Sequence, residues 1–196
     1  MENEKKIFNI VVCASGGGGN FQVLIDNQIN FSYQIILLIC DKYCGAVDRA
    51  IKSNITYYVI GKKLEKENIF NSIDNIIPLD TNLIVLAGFM PIIPAFFCKK
   101  WNKKIINTHP SLLPKYGGKG MYGVRVQESV MSNKEEFAGC TIHYVNEGVD
   151  EGEIILQKKI KVNYSETPWE LGGRIFKEEG PLLLKAINLI KGDNCV

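Results

Sequence analysis

Asn107 and His109 stand two residues apart, just after the short apolar run Lys104-Ile105-Ile106. On an extended chain that spacing puts an amide and an imidazole on one face. The amide can donate to a developing oxyanion, and the imidazole can serve as acid or electrostatic stabiliser. Pro110-Ser111-Leu112-Leu113-Pro114 follows at once. Its prolines fix φ and bias the residues before them away from helix, which stiffens the segment behind His109. Asp150, in the turn Asn146-Glu147-Gly148-Val149-Asp150-Glu151-Gly152, is the candidate partner carboxylate. A carboxylate beside an imidazole favours its charged form and orients it. From spacing alone Asp150 reads equally as a turn residue. The three residues together suit addition to a carbonyl carbon. The chain's other histidine, His143, lies in an alternating strand and reads as a surface or half-buried strand residue.

A second chemical feature is the run Ser15-Gly16-Gly17-Gly18-Gly19-Asn20, between an apolar run and the helix opened by Phe21. Glycines there let backbone amides approach an anion, and a helix N-terminus adds its positive end. Phe21 stands where a dinucleotide fingerprint needs its third glycine, and no Gly-Lys-Ser/Thr follows. The loop therefore fits one phosphomonoester, or is a tight turn with no ligand. Asp41, at the end of the next apolar run, reads as a ribose-binding acid or as a helix cap.

The elements that position these residues alternate as βα units up to about residue 110. Strands are predicted at 7–13, 34–40, 56–60 and 83–87, with a fifth ending at Ile105-Ile106. Helices are predicted from Phe21, over about 46–53 and over 63–76. After Pro114 come a flexible loop at Gly117-Gly118-Lys119-Gly120 and a helix over 124–131. Paired strands over 139–145 and 153–157 follow, and then a closing helix from Pro168 to about Ile190 with Thr167 as N-cap. The fold class is α/β: a Rossmann-like, mostly parallel sheet with helices on both faces, an antiparallel strand addition and a closing helix. No repeat or linker interrupts it, so residues 1–196 read as one domain. Its first half, to about residue 100, carries the phosphate loop; residues from about 101 carry the chemistry.

Composition bounds the rest. At 196 residues, with 46% hydrophobic and 22% charged residues, the chain can bury a substantial core. A formal net charge of +2 is too small to argue for nucleic acid or a polybasic membrane contact. Met1 to Lys6 lacks signal-peptide character, and no run approaches the roughly 20 apolar residues of a spanning helix. The six cysteines (13, 40, 44, 98, 140 and 195) make neither a CxxC pair nor a zinc pattern. They read as reduced residues of a cytoplasmic protein, without a metal.

The stretch Asn107 to Tyr116 resembles the signature of the folate-dependent formyltransferases. Ala87-Gly88-Phe89-Met90 and Val149-Asp150-Glu151-Gly152-Glu153-Ile154-Ile155, with Gln157, are similar to that superfamily's other two blocks. The Ser15 to Asn20 loop resembles the branch that formylates 5'-phosphoribosylglycinamide (GAR) in purine synthesis. The resemblance covers nearly the whole chain. It implies Asn107, His109 and Asp150 as the catalytic trio and 10-formyltetrahydrofolate as formyl donor. It implies that Gly17, Gly18, Gly19 and Asn20 hold the GAR phosphate, with Glu179 near the ribose. The pterin would lie against Phe89, Met90, Pro91, Ile92 and Ile93, against Asn107, and against the loop Asn146, Glu147, Gly148, Val149 and Asp150. The protein would be a monomer or homodimer with small-molecule partners only.

Several positions depart from the family pattern. Pro91 replaces a common arginine, the Gly117 to Gly123 loop is longer, Val124 stands for an accessory histidine, and Phe176 for a lysine. Other readings are a formyltransferase for an amino-sugar nucleotide or for methionyl-tRNA, a formyltetrahydrofolate hydrolase, and a non-catalytic nucleotide-binding module. The tRNA enzyme adds a C-terminal domain, the hydrolase adds an N-terminal one, and a binding module has no use for the trio.

Overall fold

The computed structural model describes residues 7–61 and 66–193. The sheet has seven strands in the order β3-β2-β1-β4-β5-β6-β7 and is mostly parallel, with an antiparallel addition and a C-terminal helix. The chain divides into two compact units, Met1–Pro91 and Ile92–Val196.

In the first unit, β1 (Phe8–Ala14), α1 (Gly19–Asp26), β2 (Tyr33–Cys40), α2 (Gly45–Lys52), β3 (Tyr57–Val59), α3 (Lys66–Ile76) and β4 (Leu83–Leu86) alternate as expected. Residues 63–65 of the predicted third helix lie outside the described residues. β1 pairs in parallel with β2 on one side and β4 on the other. A strand flanked on both sides and covered on both faces needs apolar residues at every position. Val11 to Ala14 and Leu83 to Val85 are accordingly buried throughout. α2 starts from Cys44, whose side chain makes no capping bond, so Asp41 is not the cap of that helix. The Asp41 Oδ1 atom is buried without a hydrogen-bond partner among the described residues.

In the second unit, α4 (Ala95–Lys100), β5 (Ile105–His109), α5 (Val124–Ser132), β6 (Phe137–Tyr144), β7 (Ile154–Lys161) and α6 (Pro168–Asp193) follow in order. Two elements differ from expectation. β5 does not stop at Ile106 but runs on through His109. α4 was not expected. Its six residues behind Pro94 are too short to show a helical period, and Pro91 and Pro94 make the approach read as loop. β5, β6 and β7 form an antiparallel meander. α6 opens with a capping box: Thr167 accepts from the Glu170 amide at 3.3 Å, and Glu170 accepts from the Thr167 amide at 2.7 Å. From there it packs Leu171, Ile175, Leu183 and Ile187, all fully buried, on β6 and α5.

Cys13, Cys40, Cys98 and Cys140 are buried and free, Cys44 is partly exposed and free, and Cys195 lies outside the described residues. Burial pushes the Cys13 thiol up to about 12, so it is inert at neutral pH.

Gly139 is a position where the sheet tolerates no side chain. A Cβ there would meet the Lys158 carbonyl oxygen at 2.0 Å and the Leu112 side chain at 2.7 Å. Replacing Gly139 by Ala should therefore destabilise the protein by about 1–3 kcal/mol, the usual cost of overpacking. Urea unfolding should show a lower midpoint at unchanged slope. An unchanged midpoint would show that β7 and the 110–114 segment can yield there.

Candidate active site

Asn107 and His109 share one face of β5. The antiparallel register sets Asn107 opposite His143 and His109 opposite Thr141. Directly opposed residues point to the same side of a sheet, so four polar side chains form a cluster. At His143 the pairing of β6 with β7 slips by one residue, a bulge of the kind that re-aims a side chain.

His143 is 2% exposed, which corrects the expectation of a surface or half-buried residue. Its Nδ1 lies 2.8 Å from the Tyr144 carbonyl oxygen, a contact that needs a proton on Nδ1. Burial lowers its pKa, so the ring is neutral and Nε2 keeps a lone pair. That lone pair accepts from Asn107 Nδ2 at 3.2 Å. The orientation of the Asn107 amide is thereby fixed, with one N–H given to His143 and a second left over. Asp150 Oδ1 is 3.7 Å from His143 Nε2, outside hydrogen-bond reach, and in this tautomer both atoms are acceptors.

His109, 4% exposed, is held from two sides. Its Nε2 lies 2.8 Å from the Tyr116 carbonyl oxygen, and its Nδ1 lies 3.4 Å from Asp150 Oδ2. The ring is thus set between a backbone carbonyl at Nε2 and a carboxylate facing Nδ1. Asp150 Oδ2 also accepts from the Gly118 amide at 3.0 Å. The long glycine loop thus orients the carboxylate. Asp150 and Tyr116 both adopt left-handed backbone, at φ of 60° and 58°.

Stiffness behind His109 comes from side chains as well as prolines. Thr141 Oγ1 donates to the Ser111 carbonyl at 2.6 Å and accepts from the Leu113 amide at 3.1 Å. Gln157 Nε2 donates to both the Leu113 carbonyl and Thr141 Oγ1 at 2.9 Å. Gln127, buried on α5, donates to the Pro110 carbonyl at 3.1 Å.

In the first unit, α1 starts at Gly19 rather than Phe21, with Gly18 as N-cap at φ 71°. A Cβ on Gly18 would meet Ala46 Cα at 2.8 Å, so only glycine fits. Arg49 Nε donates to the Gly17 carbonyl at 2.8 Å, and its Nη1 to Gln22 at 2.8 Å. The Ala46 amide donates to the Gly16 carbonyl at 3.1 Å. α2 thus fixes the shape of the glycine loop. Asn20 is buried, and the Ser15 hydroxyl accepts from the Met90 amide at 2.9 Å. Phe89 is buried and Met90 is half-exposed.

The remaining expected residues belong to the second unit. Ile92 is exposed and Ile93 buried. Asn146 Oδ1 accepts from the Gly148 amide at 3.0 Å, and its carbonyl accepts from Cys98 Sγ at 3.1 Å. Glu147 pairs with Lys99 at 3.4 Å. These residues line an open cavity of about 310 Å³ with Asn102 and Val145. Glu179 is buried on α6, beside Cys140, whose thiol burial and the Glu179 charge raise to about 12. Among the described residues no His, Cys, Asp and Glu cluster is arranged to hold a metal ion, and no helix is long and apolar enough to cross a membrane.

The mostly parallel sheet with its antiparallel addition, and an amide and imidazole on one strand face with a turn carboxylate against the imidazole, define a class. The chain belongs to the formyl transferase family, whose sequence model matches residues 8–187. Among its relatives is the phosphoribosylglycinamide formyltransferase of Bacillus subtilis, 33% identical over 93% of this chain and 94% of that protein. The human trifunctional purine biosynthetic protein adenosine-3 is 36% identical over 95% of this chain, which spans only 19% of it. The crystal structure of phosphoribosylglycinamide formyltransferase from Anaplasma phagocytophilum superposes with a TM-score of 0.83 at 33% identity. It covers 96% of this chain and 89% of that one.

The neutral state of His143 has a measurable consequence. Its folded pKa lies below the ordinary 6.5, so once the pH falls through about 6.5 the unfolded chain binds a proton that the folded one does not. Stability then falls with falling pH, by at most about 1.4 kcal/mol per unit for this one group. His143→Gln should lose that component, so the gap in unfolding free energy between variant and wild type should narrow from pH 7 to pH 5. A constant gap would mean that His143 is protonated equally in both states.

Proposed function

We propose that this protein transfers the formyl group of 10-formyltetrahydrofolate to the primary amine of GAR. The products are N-formyl-GAR and tetrahydrofolate, in de novo purine (IMP) synthesis. The observation that carries this reading is the set of donors around β5: an amide aimed by a neutral histidine, beside an imidazole set between a carboxylate and a carbonyl.

In this reading the amine of GAR attacks the formyl carbon, and negative charge grows on the formyl oxygen. The remaining Asn107 N–H would donate to that charge and the His109 ring would stand beside it as electrostatic stabiliser, since groups in place before the reaction stabilise it best. Asp150 orients the His109 ring from the Nδ1 side. As the bond from carbon to the folate nitrogen breaks, the attacking amine gives up one proton and the leaving nitrogen gains one, so protons balance. Asp150, through water, would carry that exchange.

Gly17, Gly18, Gly19 and Asn20 would hold the GAR phosphate, with Glu179 toward the ribose. The half-exposed Met90 and exposed Ile92 fit a flat heterocycle, and Asn146 to Asp150 add backbone groups for its polar edge. Pro91 leaves the folate without a side-chain cation at that point. Cytoplasmic residence belongs to the same proposal, supported by five free cysteines that a reducing compartment preserves.

The test is to mix the protein with GAR and 10-formyltetrahydrofolate and follow loss of the folate's formyl group. Turnover with GAR is expected, and His109→Ala should lower kcat by a factor on the order of 10²–10⁴. Turnover with an amino-sugar nucleotide but not GAR would replace the substrate, and near-normal rates in the variant would remove the mechanism. A second variant examines the phosphate loop. Gly18→Ala, forced into left-handed backbone against Ala46, should raise KM for GAR roughly tenfold or more while leaving KM for the folate nearly unchanged.

A further inference from the structure

Tyr116 is a bulky residue in left-handed backbone, a conformation that costs about 1–2 kcal/mol for an L-residue. Such a conformation persists only where the surroundings over-determine it. Three contacts do so here. The Tyr116 hydroxyl donates to Glu135 Oε1 at 2.9 Å. Lys115 Nζ binds the same oxygen at 2.8 Å, and Ser111 Oγ donates to the Lys115 carbonyl at 2.7 Å. Glu135 sits between α5 and β6 and is itself tied down. Its amide donates to the Val130 carbonyl at 3.2 Å, and its carbonyl accepts from the Tyr164 hydroxyl at 2.7 Å. The hydrogen bonds from Lys115 and Tyr116 hold its carboxyl below the ordinary range, so it is charged at neutral pH. The outcome of this bracing is one carbonyl oxygen 2.8 Å from His109 Nε2.

We propose that Glu135 is a positioning residue for His109, acting through the side chain and strained backbone of Tyr116. With the anchor gone, Tyr116 relaxes out of the left-handed region and its carbonyl leaves Nε2. His109 then keeps Asp150 as its sole partner and turns about the bond to its Cβ. In this arrangement both residues act through His109. The kinetic consequence rests on the formyl-transfer reading; the structural one does not.

The experiment uses two variants, Tyr116→Phe and Glu135→Leu, and two readouts. Nitrogen–proton NMR of ¹⁵N-histidine protein reports each ring separately. In both variants the His109 Nε2 signal should move toward that of an unbonded nitrogen, while the His143 ring, held by Tyr144 and Asn107, stays in place. In the formyl-transfer assay kcat should fall about tenfold, the rate equivalent of releasing one strain of that size, with KM for both substrates unchanged. An unmoved His109 signal in both variants overturns the proposal, and so does an equal shift of both histidines, which marks general loosening. If Tyr116→Phe does not fold, Glu135→Leu alone decides, because it keeps the bulk and removes the acceptor that Tyr116 and Lys115 share. Absence of turnover in the wild type would sink the formyl-transfer reading and leave the NMR result to stand for or against this one.

Discussion

The proposed chemistry of this molecule depends on one imidazole held from both sides. His109 sits between the Asp150 carboxylate and the Tyr116 carbonyl, and both neighbours adopt left-handed backbone, which the bulky Tyr116 side chain disfavours. Strain of this kind costs on the order of 1–3 kcal/mol per residue and is tolerated where geometry has to be held. It is offset here by local hydrogen bonds: the Gly118 amide on Asp150, and Glu135 under Tyr116. A freely turning histidine would meet a substrate in many poses, and this one is limited to few.

The rest of the second unit serves that restraint. The antiparallel register of β5 with β6 brings His143 to Asn107 and Thr141 beneath the 110–114 segment. β7 adds Gln157, which ties Leu113 to Thr141. Gly139 lets the Leu112 side chain lie directly on β6, where any Cβ would collide. Each of these contacts is small, about 1 kcal/mol for a hydrogen bond. Together they fix a segment that the prolines alone would only stiffen. The first unit applies the same means to a different end, with α2 packing Ala46 and Arg49 against the glycine loop to set its shape.

Much of this was legible in the sequence because its causes are local. Buried parallel strands need unbroken apolar runs, so β1, β2 and β4 could be read off directly. Asn107 and His109 share a face because of the two-residue period of a strand, which needs no partner to be known. His143 was misread for the opposite reason. Alternation says which face a residue takes but not what stands across from it. That depends on the β5–β6 register and on a bulge beside the turn between β6 and β7. Asp150 looked equally like a turn residue, and it is one: its left-handed backbone is how the turn delivers the carboxylate. Tyr116 contributes a backbone oxygen, which no side-chain motif can announce. α4 escaped because six residues between prolines carry no usable period.

The central claim is that His109 and Asp150 work as one unit, and a double-mutant cycle tests it most directly. His109→Ala, Asp150→Ala and the double variant would be compared by kcat for formyl transfer to GAR. If the carboxylate acts through the imidazole, removing it from an enzyme without the imidazole should matter little. The double variant should then fall within about threefold of the slower single one. If the two losses multiply instead, each residue acts on the substrate independently, and the bracketed imidazole is not the unit of catalysis described here.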